Sequence, residues 1–290
     1  MIPRPFDYHA PGSLPEAIAL LAEYGDEAKL LAGGHSLLPM MKLRFAEPAH
    51  LIDLGKLVEL KGIREAGGEL RIGAMTTENE LIWSELLQTK CPLIVEGARQ
   101  ISDPQVRYRG TLGGDLSHGD PGNDHPALMM ALDASFVLAG ERGERVVPAN
   151  GFFLGTYATL LEPGEIMTEI RIPLPDAGTG YCYAKLKRKT GDFATAAAAV
   201  TLRVESGTGA VSHVRIALTN VAETAIRASD AEQFLSGKPL DDAAIAEAAR
   251  LAMSACAPVA DLRGDVEYKT AMAGEMTRRA LATAYARTAH

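Results

Sequence analysis

Residues 29–42 read Lys29-Leu30-Leu31-Ala32-Gly33-Gly34-His35-Ser36-Leu37-Leu38-Pro39-Met40-Met41-Lys42. The apolar run from Lys29 to Ala32 has the length and content of a short buried strand, and it ends in a glycine pair. The pattern predicts a helix from Ser36 through Met41, in which Pro39 is tolerable because it falls in the first turn. Strand, glycine turn and helix in that order bring exposed backbone N–H groups and the positive end of a helix to one point, an arrangement that suits an anion. Upstream, Ser13 and Glu16 form a capping box ahead of residues 17–22, and Gly25 stops that helix. Downstream, Leu51-Ile52-Asp53-Leu54 reads as the next strand. The whole is a small β-α-β-α-β unit.

Beyond about residue 56 the pattern changes. Glu69-Leu70-Arg71-Ile72 is strand-like, and Thr77 with Glu80 forms a second capping box ahead of Leu81-Ile82-Trp83. A helix is predicted over Pro92 to Ile101, a glycine-rich loop over Ser102 to His125, and a short apolar helix over Pro126 to Leu132. Strands are predicted at residues 135–139, 145–147 and 166–173. Helices and short strands without strict alternation indicate an α+β fold. The stretch Pro173-Leu174-Pro175-Asp176-Ala177-Gly178-Thr179-Gly180 reads as a linker. After it come two long strands, 194–205 and 210–219, flanking the hairpin turn Ser206-Gly207-Thr208-Gly209, and then helices over 241–255 and 266–287.

The chain has 290 residues, 47% of them hydrophobic and 23% charged, which is the composition of a globular protein of two domains. A formal net charge of −8 argues against nucleic acid as a partner. The one dense basic run, Lys185-Leu186-Lys187-Arg188-Lys189, reads most simply as a solvated strand edge. The three cysteines, Cys91, Cys182 and Cys256, are too scattered for a zinc site, an iron–sulfur cluster or a disulfide framework. The N-terminus lacks a signal-peptide pattern and no run approaches roughly 18 apolar residues, so a reduced, cytoplasmic protein without a transmembrane segment is expected.

Two loops carry chemistry. Thr111-Leu112-Gly113-Gly114-Asp115 is a second glycine pair, and two such loops in one domain are able to close on a single pyrophosphate from both sides. Asp124 is placed to accept from sugar-like hydroxyls, or to cap the helix that follows it. The run from His118 to His125 holds two histidines and two aspartates, but Pro121 and Gly122 make it a turn without the spacing of a metal site. Ser–His neighbours occur at Ser117-His118 and His35-Ser36, neither in a G-x-S-x-G elbow, so no catalytic residue is assigned and no metal ligand either.

These loops, together with Pro104-Gln105-Val106-Arg107-Tyr108-Arg109-Gly110 ahead of the second and the basic run near Lys187, resemble the FAD-binding medium subunit of the molybdenum hydroxylases. That family spans xanthine dehydrogenase and aerobic carbon monoxide dehydrogenase, and the likeness is strongest to the latter type. The resemblance implies a two-lobed FAD-binding domain of the vanillyl-alcohol-oxidase-like (PCMH) kind over residues 1–177, with lobes of about 1–55 and 56–177. It implies a C-terminal flavoprotein domain over 178–290, an antiparallel sheet with helices. It implies non-covalent FAD held by Leu31, Ala32, Gly33, Gly34, His35, Ser36, Leu37 and Leu38, and by Thr111, Leu112, Gly113, Gly114 and Asp115. Asp124 would bind FAD hydroxyls, and Ile101 and Leu161 would line the isoalloxazine ring. Lys187, or Lys185 two residues earlier, would stand at the flavin's polar edge, and Phe193 would pack where some relatives have tyrosine. It implies partners as well: a small subunit with [2Fe–2S] clusters and a large subunit with the molybdenum cofactor, in a dimer of heterotrimers. Electrons would pass from the clusters through FAD to an outside acceptor, the chemistry being the cofactor's own. A stand-alone flavin oxidoreductase acting directly on a small molecule is the alternative.

Overall fold

The computed structural model describes residues 1–288, so the last two residues of the unit expected over 178–290 lie outside the described residues. The first sheet is built from β1 (Asp7–His9), α1 (Leu14–Tyr24), β2 (Ala28–Leu31), α2 (Leu37–Leu43) and β3 (His50–Asp53). Its strands are all parallel, in the order β1-β3-β2, as the β-α-β-α-β pattern requires. Gly25 ends α1 at φ +50°, a backbone angle that glycine takes without strain. The first capping box is only half formed. Ser13 Oγ accepts the Glu16 N–H, but the Glu16 carboxylate reaches one residue further back, to the Gly12 N–H at 2.7 Å.

The second unit runs β4 (Ile63–Ala66), β5 (Glu69–Gly73), α3 (Glu78–Trp83), α4 (Glu85–Lys90), α5 (Pro92–Ala98), α6 (Pro104–Arg107), α7 (Leu112–His118), α8 (His125–Ala131), β6 (Ser135–Gly140), β7 (Gly143–Pro148), β8 (Phe153–Gly155), β9 (Ala158–Thr159) and β10 (Ile166–Pro173). Its main sheet is antiparallel, ordered β4-β5-β10-β6-β7. Here Thr77 and Glu80 do make a reciprocal box at the start of α3. Two expectations are corrected. The helix predicted to Ile101 stops at Ala98, and Ser102 takes a left-handed φ of +40° that no helix continues through. The stretch 102–125 is not one loop but holds α6 and α7, because Asp103 and Thr111 each cap a helix with their side chains.

The third unit is an antiparallel sheet, β11 (Gly180–Leu186), β12 (Ala196–Val204), β13 (Val211–Thr219) and β14 (Ile226–Arg227), followed by α9 (Ser229–Leu235), α10 (Asp242–Ser254) and α11 (Val266–Ala286). Strand β12 opens Ala196-Ala197-Ala198-Ala199-Val200, and every one of these residues is buried. The alternation explains the small side chains. Ala197 and Ala199 face the core that also holds Leu128, Phe136 and Ile170, while Ala196, Ala198 and Val200 face the core made with α10 and α11. The sheet is thus covered on both sides, and the packing is continuous from the second unit into the third. The observed mixture of helices with one parallel and two large antiparallel sheets is the α+β fold expected.

Gly180, the first residue of β11, is fixed by close contact with α11: a Cβ there would lie 1.9 Å from the Ala284 carbonyl oxygen. Gly180→Val is expected to cost about 1–3 kcal/mol through forced displacement of that helix. Thermal denaturation should show a fall in Tm of several degrees.

Candidate functional site

Three separate parts of the chain meet. The first is the turn between β2 and α2. Gly34 lies at φ +78° and redirects the chain from strand to helix. Gly33 rests on the backbone just before α7: a Cβ there would lie 2.2 Å from Arg109 O and 2.8 Å from Gly110 Cα. Gly114 faces Ala32, since a Cβ on Gly114 would lie 3.3 Å from the Ala32 methyl. The two glycine pairs therefore stand side by side, and Gly33 is what allows the two backbones to touch.

Their hydrogen-bonding capacities differ. The N–H groups of Gly33, Gly34, His35, Ser36 and Leu37 have no protein acceptor among the described residues. Ser36 precedes α2 without capping it, which leaves its hydroxyl available too. In α7, by contrast, the Leu112 N–H donates to Thr76 O at 3.0 Å, the Gly113 N–H to Ala74 O at 2.8 Å and the Gly114 N–H to Thr111 Oγ1 at 3.2 Å. The picture of two equivalent anion cradles is corrected accordingly. Gly113 is needed for packing, because a Cβ there would lie 2.4 Å from that of Ala74. Five adjacent free amides on one side, and a closed helical wall with the Thr111 hydroxyl on the other, fit a dinucleotide pyrophosphate.

The third part is the start of α8 with the edge strand β11. Asp124 does not cap α8. Its carboxylate accepts from the Tyr183 hydroxyl and from Lys185 Nζ at 2.6 Å, and the Lys185 side chain is 1% exposed. This overturns the solvated-edge reading for Lys185. The strand is an edge, but α5 and the turn after it cover it: Glu96 accepts the Tyr183 N–H at 2.8 Å and Gln100 donates to Tyr183 O at 3.0 Å. Lys187, half-buried, donates to Gln100 O at 3.2 Å beside Ile101. Burial and the neighbouring Lys185 ammonium lower its pKa. Tyr183 is pushed well above the usual phenol range by burial and by Asp124, so it stays a donor.

Behind Asp124 lies an acidic pocket that sequence reasoning missed. His125 is fully buried, with Nε2 2.7 Å from Glu78 Oε2 of α3. Burial pulls its pKa down, but Glu78, Asp115 and Asp124 together more than offset this and leave it at about 9. Asp115, placed by the resemblance in the cofactor cradle, instead turns toward this pocket: its Oδ2 is closed off and unpaired. Burial pushes its pKa up to about 8, with Glu78, Asp124 and Asp120 adding to the rise and His125 opposing it. His118 has a different neighbour, the Tyr157 ring at 4.8 Å, so the two histidines do not converge. Among the described residues no cluster of three or more potential metal ligands occurs.

Phe193 is 44% exposed and lies against Gly122, with the Arg263 guanidinium 5.3 Å from its ring centroid. Leu161 packs on the edge of the main core, and its N–H donates to Thr159 Oγ1 near the end of α7. The structure thus groups the first loop with residues 109–114, Asp124 with Lys185, Ile101 with Lys187, and Phe193 with the 119–125 turn.

Residues 4–175 match the family described as FAD binding domain in molybdopterin dehydrogenase, and residues 181–284 match the CO dehydrogenase flavoprotein C-terminal domain. The carbon monoxide dehydrogenase medium chain of Hydrogenophaga pseudoflava is 60% identical over 289 residues, covering 100% of each chain. That of Afipia carboxidovorans is 52% identical over 287 residues, covering 99% of each. The solved carbon monoxide dehydrogenase from H. pseudoflava that lacks the Mo-pyranopterin moiety of its cofactor contains a chain that superposes with a TM-score of 0.98 at 62% identity, again over 100% of both chains.

Two outcomes follow from the geometry. Gly33→Ala sets a methyl against backbone that has no room for it, and should weaken dinucleotide binding at least about tenfold in a fluorescence titration. The buried pocket sets a pH dependence. The raised His125 pKa gives stability that is complete below about pH 6.5 and lost as pH rises through about 9. Raised Asp115 favours the protonated folded form, so its contribution also declines as pH climbs from about 4 to about 8. Both act in one direction: Tm should fall by on the order of 5 °C between pH 6 and pH 9, and His125→Gln should flatten that slope.

Proposed function

The chain belongs to the family of FAD-binding medium subunits of molybdenum hydroxylases, of the carbon monoxide dehydrogenase type, and from that premise we propose that it relays electrons from the [2Fe–2S] clusters of a small partner subunit to an external acceptor. The substrate of the whole assembly is carbon monoxide, turned over on a large molybdenum subunit, a reading supported by the names of the two medium chains described above. The assembly is a cytoplasmic dimer of heterotrimers. Among the described residues no helix is long and apolar enough to cross a membrane.

The observation that carries the reading is the run of five unpartnered amides from Gly33 to Leu37, set against the wall of Thr111 to Gly114. FAD, when bound, supplies the redox chemistry, taking up electrons and passing them on. The chain's own residues hold and surround it. The free amides and the Ser36 hydroxyl bind the pyrophosphate, Leu31, Ala32 and Leu38 flank them, and Thr111 adds a hydroxyl. Asp124 accepts from the cofactor's hydroxyls, Ile101 and Leu161 line the ring, and Phe193 presents a face without the hydroxyl of tyrosine. Lys187 sets a positive charge at the polar edge, where it favours negative charge on the ring system. The domain division at 1–177 and 178–290 puts this cleft mainly in the first domain, closed by β11 of the second.

The purified chain should be yellow and take up FAD stoichiometrically. Co-expressed with the small and large partners, it should support carbon-monoxide-dependent reduction of a dye, and Gly33→Ala in the same complex should slow dye reduction while the clusters still reduce. A colourless chain that binds no FAD would overturn the proposal. Direct reduction of the isolated flavin-loaded chain by a small organic substrate would favour a stand-alone oxidoreductase.

A further inference from the structure

Tyr183, Lys185 and Lys187 alternate along β11 and its end, and period-two geometry sets all three side chains on the same side. That side faces Asp124 and the carbonyl of Gln100. Tyr183 Oη donates to one Asp124 oxygen, and Lys185 Nζ lies 2.6 Å from the other and 3.4 Å from Gln100 O. Lys187 Nζ meets the same carbonyl at 3.2 Å but has no carboxylate partner among the described residues. The two lysines of the basic run therefore occupy different situations. One is committed to an internal ion pair whose side chains are 1% and 5% exposed, and the other is half-open with its charge uncompensated.

We infer that Lys185 is a positioning residue for Asp124: it stands behind the carboxylate, compensates its buried charge and orients it toward the cofactor hydroxyls, leaving Lys187 as the cation that faces the flavin. The inference rests on the reading of this cleft as an FAD site. Two bonds do not exhaust a carboxylate, which offers about four lone-pair positions. Asp124 can hold its protein partners and still accept from a ligand hydroxyl. A buried carboxylate that loses its only cation is strongly disfavoured, so the ion pair decides whether a charged acceptor exists at that place. The other groups around Asp124 do not replace Lys185. Asp115 of α7 and Glu78 of α3 are acids, and His125, next in the chain, is engaged by Glu78 at 2.7 Å. Lys187 is the remaining cation, and it points to Gln100 O.

The test is FAD affinity as a function of pH for the full-length chain. In the wild type, with the Asp124–Lys185 pair closed off from water, the dissociation constant should be level from about pH 7 to about pH 5, where Asp115, at about 8, and His125, at about 9, keep their protons. In Lys185→Met the unpaired carboxylate takes up a proton as pH falls and its bond to the cofactor hydroxyl loses charge assistance. Affinity should then be near wild type at the upper end and fall about tenfold toward the lower end. Lys185→Arg should restore the level profile, and the double variant Lys185→Met, Asp124→Asn should be weak at every pH. A Lys185→Met profile that parallels the wild type overturns the inference. If the wild type itself takes up no FAD, the FAD reading fails instead.

Amine labelling of the unaltered chain with acetic anhydride, read by peptide mass spectrometry, tests the same assignment without a variant. Lys187 should label in the FAD-free chain and be protected several-fold by FAD, while Lys185 should stay unlabelled in both states. Labelling of Lys185 in the free chain that FAD suppresses, with Lys187 indifferent to FAD, would exchange the two roles and overturn the inference.

Discussion

The contact of Gly33 with the backbone of Arg109 and Gly110 is the constraint on which the site depends. It joins two parts of the chain that lie in different sheets' surroundings and 76 residues or more apart in sequence, as the numbers 33 and 109 show. No side chain fits at that point, so there the parallel β-α-β-α-β unit and the antiparallel unit meet backbone to backbone, while Ala28 and Ile52 share a core with Met75 and Ile166. The consequence is a narrow cleft whose width is set by main-chain geometry, which varies less than side-chain packing does. Gly113 has the same role one layer further in, where α7 presses on Ala74 at the end of β5.

Charge supplies the second constraint. Glu78, Asp115, Asp124, His125, Tyr183 and Lys185 come from four elements, α3, α7, the start of α8 and β11, and form one buried group. Such a group is costly unless every member has partners, and here two atoms, Asp115 Oδ2 and His125 Nδ1, have none. Its value is geometric. It ties β11, the edge of the third sheet, to α8 of the second unit, with α3 and α7 behind it. The all-alanine start of β12 lets this happen, because thin side chains allow the sheet to approach α8 closely on one face and α10 and α11 on the other.

Features that depend on a few neighbouring residues were legible in the sequence. The glycine pairs, the box at Thr77 and Glu80, the strand Ile166–Pro173 and the hairpin between β12 and β13 all announce themselves within a short window. Strand β1 did not, since three partly exposed residues carry no period. Helix α7 was hidden by its own glycines, which intrinsic propensity counts against a helix; in the structure the Thr111 side chain caps it. The partner of Asp124 was out of reach: Lys185 lies 61 residues away, and a lysine in a basic run is ordinarily a surface residue. The spacing Tyr183, Lys185, Lys187 did hold the clue, because three polar residues at every second position of a strand share a face.

Helix α7 begins with amides that are already bonded to Thr76, Ala74 and Thr111. The protein itself supplies every one of those acceptors, so the wall needs no bond from a dinucleotide to hold its shape. In the proposed site only the amides from Gly33 to Leu37 are without a protein acceptor, and they are the ones left to meet the phosphate. Loading the proposed cofactor is therefore a local event on one short turn of a receptor that is already built, and synthesis of the chain and supply of flavin need not be simultaneous.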